Sequence, residues 1–203
     1  MTRVGSWVLL GGLLAAATAR AHPEGFHVRA VFTLTKTAVT GLVVMDVDGG
    51  ERCELMRAGA DSNRDGLLSD DEKRGLERRL VSMVLRPLKV GLSSYVVPLK
   101  VQEVKLNLRQ DVSVSRSAVS VALLLEANHP YDVSPGMHFE FETVTPDGSP
   151  VRLEVLQAAD PADRQPEPDF RQEVDSGRRA RVRLGLLARK VAQADAGAAP
   201  QLR

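Results

Sequence analysis

The sequence predicts a mainly β protein with an α-helical insert: an antiparallel β-sandwich of about eight short strands interrupted once by a helix-loop-helix. Three observations carry this expectation. Apolar and polar residues alternate with period two over most of the chain, as in half-buried strands. Between residues 51 and 86 the apolar period lengthens to three and four, as on amphipathic helices. Turn residues punctuate the alternating stretches at short intervals.

The elements follow in order. Arg3 is a basic n-region, Val8 to Ala17 is an apolar run of about ten residues, and Ala19-Arg20-Ala21 is a small-x-small site, together the pattern of a secretory signal peptide over residues 1–21. The run is shorter than the ~20 residues a membrane span needs. The expected location is therefore secreted or periplasmic, with the mature chain starting near His22. Phe26, Val28, Ala30, Phe32 and Leu34 form one face of a first strand. A second runs from Thr37 to Val47 and stops at the turn residues Asp46-Val-Asp-Gly-Gly. Helical segments are expected at Glu51–Ala60 and Ser69–Arg86, the second carrying Leu76, Leu80, Met83 and Val84 on one face and closed by Pro87. Strand patterns resume at Leu88–Leu92, Val96–Leu108 (broken by Pro98) and Ala118–Ala127. His138 to Val144 and Val151 to Val155, joined by Pro146-Asp-Gly-Ser-Pro150, read as a hairpin. Residues 158–177 read as a linker or long loop, 178–190 as a terminal strand and 191–203 as a disordered tail. The main unit thus spans 22–157, with the helical insert at about 51–86. Strand number and spacing favour an immunoglobulin-like version of the sandwich, without that fold's Cys-Trp-Cys signature.

Between the helical segments lies Asp61-Ser-Asn63-Arg-Asp65-Gly66-Leu67-Leu68-Ser69-Asp-Asp-Glu72. Calcium is a hard cation that takes six to eight oxygens, and Asp61, Asn63 and Asp65 present side-chain oxygens at alternate positions. Gly66 permits the sharp turn that lets Leu67 offer its carbonyl, Ser69 coordinates directly or through water, and Glu72 can give two oxygens. Ser69 and Glu72 also form a Ser-x-x-Glu capping box for the following helix. Over residues 51–86 the chain resembles the EF-hand (calmodulin) superfamily, and this twelve-residue loop carries the resemblance. It implies a Ca2+ site with Asp61, Asn63, Asp65, Leu67, Ser69 and Glu72 as ligands. Leu68 would pin the loop, and in paired hands it lies against its counterpart in a second loop. No second loop is visible here, so the sandwich or another molecule must buttress the single hand. The layout of export signal, two strands, one hand and more strands is similar to that of exported bacterial proteins, a likeness of order and spacing alone.

Charge and composition narrow the remaining classes. The 203 residues carry a formal net charge of +1, which becomes −1 once residues 1–21, with Arg3, Arg20 and the only Trp, are removed. That balance supplies no field for nucleic acid, and the scarcity of aromatic rings argues against sugar or base stacking. Acid is local instead: Asp46 to Glu72 has nine acidic and three basic residues, while Lys73 to Lys89 has six basic and one acidic. Lys73, Arg74, Arg78 and Arg79 are expected on a solvated helix face, pairing with the acidic entering helix. The basic residues between Arg178 and Lys190 suit the exposed face of an edge strand, and His138, Glu140 and Glu142 a solvated strand face. Cys53, a lone thiol, is expected buried on a helix. No Ser/His/Asp spacing, nucleophile elbow, phosphate loop or HExxH occurs, so no enzyme is indicated. The expectation is an exported, non-enzymatic calcium-binding protein with a structural ion and an unknown protein partner. A copper site built on His22 with His27, His129 or His138, as an N-terminal histidine brace, is the alternative, followed by an envelope interaction module.

Overall fold

A computed structural model of the protein describes residues 25–109, 111–130, 133, 136–157 and 170–184. The signal segment, His22, residues 158–169 of the expected linker and the C-terminal tail lie outside the described residues.

Alternation becomes burial in β1 (Phe26–Leu34), whose Phe26, Ala30, Phe32 and Leu34 are buried, and in β2 (Ala38–Val47), which buries Val39, Val43, Met45 and Val47. The insert follows as α1 (Glu51–Ala58) and α2 (Asp70–Leu85). The chain continues through β3 (Lys89–Leu92), β4 (Tyr95–Val96), β5 (Lys100–Asn107), β6 (Val119–Asn128), β7 (His138–Glu142), β8 (Val151–Gln157), β9 (Phe170–Val174) and β10 (Arg179–Arg183). The described residues thus form a mainly β protein with two helices. No helix among them is long and apolar enough to cross a membrane.

The strands form two sheets, one in the order β5-β6-β2-β1-β8-β9 and one in the order β10-β7-β3-β4. They meet through aromatic rings: Phe32 of β1 lies 5.3 Å from Phe139 and 5.8 Å from Phe141 of β7, centroid to centroid. Each such ring, removed from water, contributes on the order of 1.5–3 kcal/mol. Phe32 also explains Gly41, its cross-strand partner on β2. A Cβ at Gly41 would stand 2.5 Å from the Phe32 ring, so only glycine lets the ring lie flat over the neighbouring strand. Leu76, Leu80 and Val84 of α2 join the same core, with Val84 beside Val43 and Met45 of the larger sheet.

The expected all-antiparallel arrangement is corrected at one pair. β1 and β8 run parallel, Val28 opposite Val151 through Leu34 opposite Gln157. The expected hairpin between β7 and β8 is corrected with it, since β7 belongs to the smaller sheet and β8 to the larger. The Pro146–Pro150 turn does not fold one strand back on the other; it carries the chain between layers. Its anchor is Asp147, whose carboxylate accepts the Phe26 N–H at 2.9 Å, while the Ser149 hydroxyl donates to the Phe26 carbonyl at 2.7 Å. Those bonds set the start of β8 beside the start of β1, pointing the same way. A further difference is β9, which lies within the expected linker of residues 158–177 and pairs antiparallel with β8. Part of the expected terminal strand is present as β10, an edge strand whose Arg179 and Arg181 pair with Glu140 and Glu142 of β7.

Burial raises the pKa of Asp147, but hydrogen bonds from the Ser149 hydroxyl and from the Phe26 and Ser149 N–H groups outweigh it and bring the value to about 2. A carboxylate depressed in the fold stabilises above its ordinary pKa and loses that contribution as pH falls. Asp147→Ala is expected to cost about 1–3 kcal/mol at neutral pH. Urea titrations at stepped pH should show the gap between wild type and variant shrinking from about pH 4 and closing near pH 2.

Candidate metal centre

The segment from Asp61 to Glu72 leaves the end of α1 and enters α2. At its far end Ser69 caps α2: its hydroxyl accepts the Glu72 N–H, and Glu72 Oε2 accepts the Ser69 N–H at 2.9 Å, the reciprocal capping box. Asp70, Asp71 and Glu72 place negative charge in the first turn, where the helix dipole favours it. At the near end the Asp61 N–H continues the α1 pattern onto the Arg57 carbonyl at 2.9 Å.

Between these ends the side chains hold the backbone in a tight curve. Asp61 accepts the N–H of Arg64 at 2.7 Å on one oxygen and that of Gly66 at 2.9 Å on the other. Gly66 has φ +80°, the left-handed conformation that side chains disfavour, as the turn expected there requires. Asn63 accepts the Asp65 N–H, and Asp65 accepts both the Asn63 amide and the Leu67 N–H, each at about 3 Å. Leu67 is exposed, whereas Leu68 beside it is 2% exposed and packs into the core.

Glu72 is 7% exposed and Asp61 9%, so the first and last carboxylates of the segment are both buried. Glu72 Oε1 accepts the Ser62 hydroxyl and the Ser62 and Asn63 N–H groups, and Oε2 accepts the Ser69 hydroxyl and N–H. The Ser62 hydroxyl, foremost among these donors, and Ser69 hold the Glu72 pKa at about 2. Asp61, Asn63, Asp65, the Leu67 carbonyl, Ser69 and Glu72 therefore share one curve of chain and all offer oxygen, the donor a hard divalent cation takes. Their carboxylates do not meet at one point. Among the described residues no three His, Cys, Asp or Glu side chains form a metal-sized group, and Glu72 is turned onto Ser62 and Ser69. The donor set mixes carboxylate, amide, hydroxyl and carbonyl oxygens, the kinds of donor that calcium takes.

The histidines are arranged differently. His27 bonds Asp48 at 2.7 Å on the surface, His129 is 5% exposed, and His138 stands on β7. None belongs to a metal-sized group among the described residues, and His22 lies outside them. The basic stretch of α2 also departs from expectation. Lys73 and Arg74 pair with Asp70 and Asp71 of their own helix, one turn back, and Arg79 donates to the Gly59 carbonyl at the end of α1. A Cβ on Gly59 would lie 3.0 Å from that guanidinium, so glycine there leaves the contact unobstructed. Cys53 is buried on α1 as expected, its thiol directed at the Val47 and Asp48 carbonyls.

Sequence reasoning passed over Arg57. It is fully buried on α1, one turn after Cys53. Its guanidinium donates to the carbonyls of Leu108, Asp111, Ser113 and Ser117, all in the connection between β5 and β6. That connection is tied internally by Asp111, whose carboxylate accepts the hydroxyls of Ser113, Ser115 and Ser117 and is held well below the usual range by them. The one visible trace in the sequence is the spacing Asp111-x-Ser-x-Ser-x-Ser117. The sequence matches no protein-family model and no curated protein.

Arg57→Met keeps the bulk and removes the guanidinium from four carbonyls, of which that of Leu108 keeps the Asp111 N–H as a donor, so it is expected to cost at least about 3 kcal/mol. Arg57→Lys should recover little, because one ammonium cannot span the carbonyls a planar guanidinium reaches. Denaturant midpoints of the two variants check this; a lysine variant as stable as wild type would contradict it.

Proposed function

We propose that this chain is an exported, non-enzymatic calcium-binding protein whose single EF-hand loop, residues 61–72, holds one structural Ca2+ ion. The observation that carries the reading is an oxygen donor at each of the six ligand positions, in a loop turned at Gly66 (φ +80°) between two helices. Asp61, Asn63, Asp65 and Glu72 would hold the ion through side chains, Leu67 through its carbonyl, and Ser69 directly or through water. The ion would neutralise part of the charge of Asp61, Asp65 and Glu72, three carboxylates brought into one short segment.

The position of the helices supports a structural role. α2 contributes Leu76, Leu80 and Val84 to the common core, so a rigid joint between α1 and α2 adds stability, whereas a sensor would have to pull that face away. Two sheets facing across Phe32, Phe139 and Phe141 support reading the scaffold as a β-sandwich of immunoglobulin-like kind, with a parallel β1–β8 pair as its own variation. Export rests on the signal pattern of residues 1–21.

Calcium titration calorimetry on the purified chain is expected to give one site with Kd of roughly 10⁻⁵ to 10⁻³ M, the weak end of the range, where extracellular modules lie. Asp61→Ala and Glu72→Gln should abolish the heat, and equal heat from wild type and both variants would sink the proposal. Calcium in excess over Kd should raise Tm relative to chelator, by mass action on the folded state.

A further inference from the structure

We infer that the connection between β5 and β6, residues 111–117, is the built-in counterpart of the calcium loop and sets its affinity. This inference rests on the calcium reading above and adds to it the element that positions the ligands.

The contact is a two-bond bridge of antiparallel β type that places Leu67 opposite Ser113. The Leu68 N–H donates to the Val112 carbonyl at 2.7 Å, and the Val114 N–H donates to the Gly66 carbonyl at 2.8 Å. Both bonds flank Leu67, the residue whose carbonyl is the backbone ligand, and neither engages that carbonyl. A lone loop would have to supply this rigidity from its own residues. Here a segment distant in sequence supplies it.

The connection can act as a support because it is itself tied down. Asp111 gathers three serine hydroxyls, and Arg57 gathers four carbonyls of the same stretch from a fully buried position. The Gly50 N–H donates to the Arg116 carbonyl at 2.8 Å, and Arg116 pairs with Glu54, so α1 grips the connection along its length. The calcium loop is therefore held by one piece of backbone from two sides: through α1, which runs into Asp61, and through the bridge at Gly66 and Leu68. An ion that fixes the Leu67 carbonyl must then stiffen the bridge, and a formed bridge must favour the ion, because coupling between two sites is reciprocal. Arg57 is a positioning residue in this scheme and does not touch the ion.

The test combines hydrogen exchange on the full-length wild type with calcium titration of two variants. In wild type, calcium is expected to slow exchange of the Leu68 and Val114 amides by about fivefold or more. Val114→Pro removes one bridging N–H, the donor to the Gly66 carbonyl, next to the bridged Ser113. It is expected to melt cooperatively in chelator yet bind calcium about tenfold more weakly. Val114→Ala, which keeps the N–H, should bind as wild type does. Wild-type affinity in Val114→Pro, or exchange at Leu68 and Val114 unaffected by calcium, overturns the inference while leaving the calcium reading intact. Absence of calcium heat in wild type overturns both. The exchange experiment needs no variant and decides the matter alone should Val114→Pro fail to fold.

Discussion

One buried guanidinium organises the helical insert of this protein. Arg57 has no solvent to bond with, so its donors need partners inside the fold. Its two terminal nitrogens find them in four backbone carbonyls of the β5–β6 connection, while Nε has none among the described residues. Separating α1 from the connection would leave a buried charge and several carbonyls short of partners together, a cost that holds the two in place. The curve of the Asp61–Glu72 segment follows, since it leaves α1 four residues after Arg57 and is bridged to the connection at Leu67.

The sheets depend on a second constraint of the same kind at the start of β1. Asp147 and Ser149 bind the N–H and carbonyl of Phe26 and convert an expected hairpin turn into a passage between layers. The consequence is a parallel strand beside β1 and a mixed six-stranded sheet. β7 is freed to carry Phe139 and Phe141 onto Phe32 from the other layer. The charged row of β7 then meets Lys89 and Arg179 at Glu142 and Arg181 at Glu140. The polar face expected to be solvated is a ladder of ion pairs, of modest worth at exposed positions.

Most strand positions were legible in the sequence, and so was the helical insert. Period two and period three-to-four patterns are properties of a single segment facing one core, and they survive whichever strands become neighbours. The candidate site was legible for the same reason: the donors of residues 61–72 and their glycine belong to one turn of chain. Its support was not. Arg57 read as an ordinary helix cation, and β9 was hidden in a stretch whose alternation is weak, Phe170 half-buried and Val174 buried. β9 is a strand because β8 offered it an open edge, a fact about β8 and not about residues 170–174.

The sequence by itself determined the mainly β character, the place of the two helices, the capping box at Ser69 and Glu72, and the spacing of oxygens from Asp61 to Glu72. All of these are settled within a few residues by side-chain periodicity, hydrogen-bonding groups and glycine. Only the tertiary structure decided that β1 lies parallel to β8 and that the β5–β6 connection braces the Asp61–Glu72 loop. Those choices join groups 51 to 60 residues apart at Arg57 and 121 apart at Asp147. On one side of each contact stand backbone N–H and C=O groups. Every residue carries a C=O and every residue but proline an N–H, so no side-chain pattern announces which of them will be met.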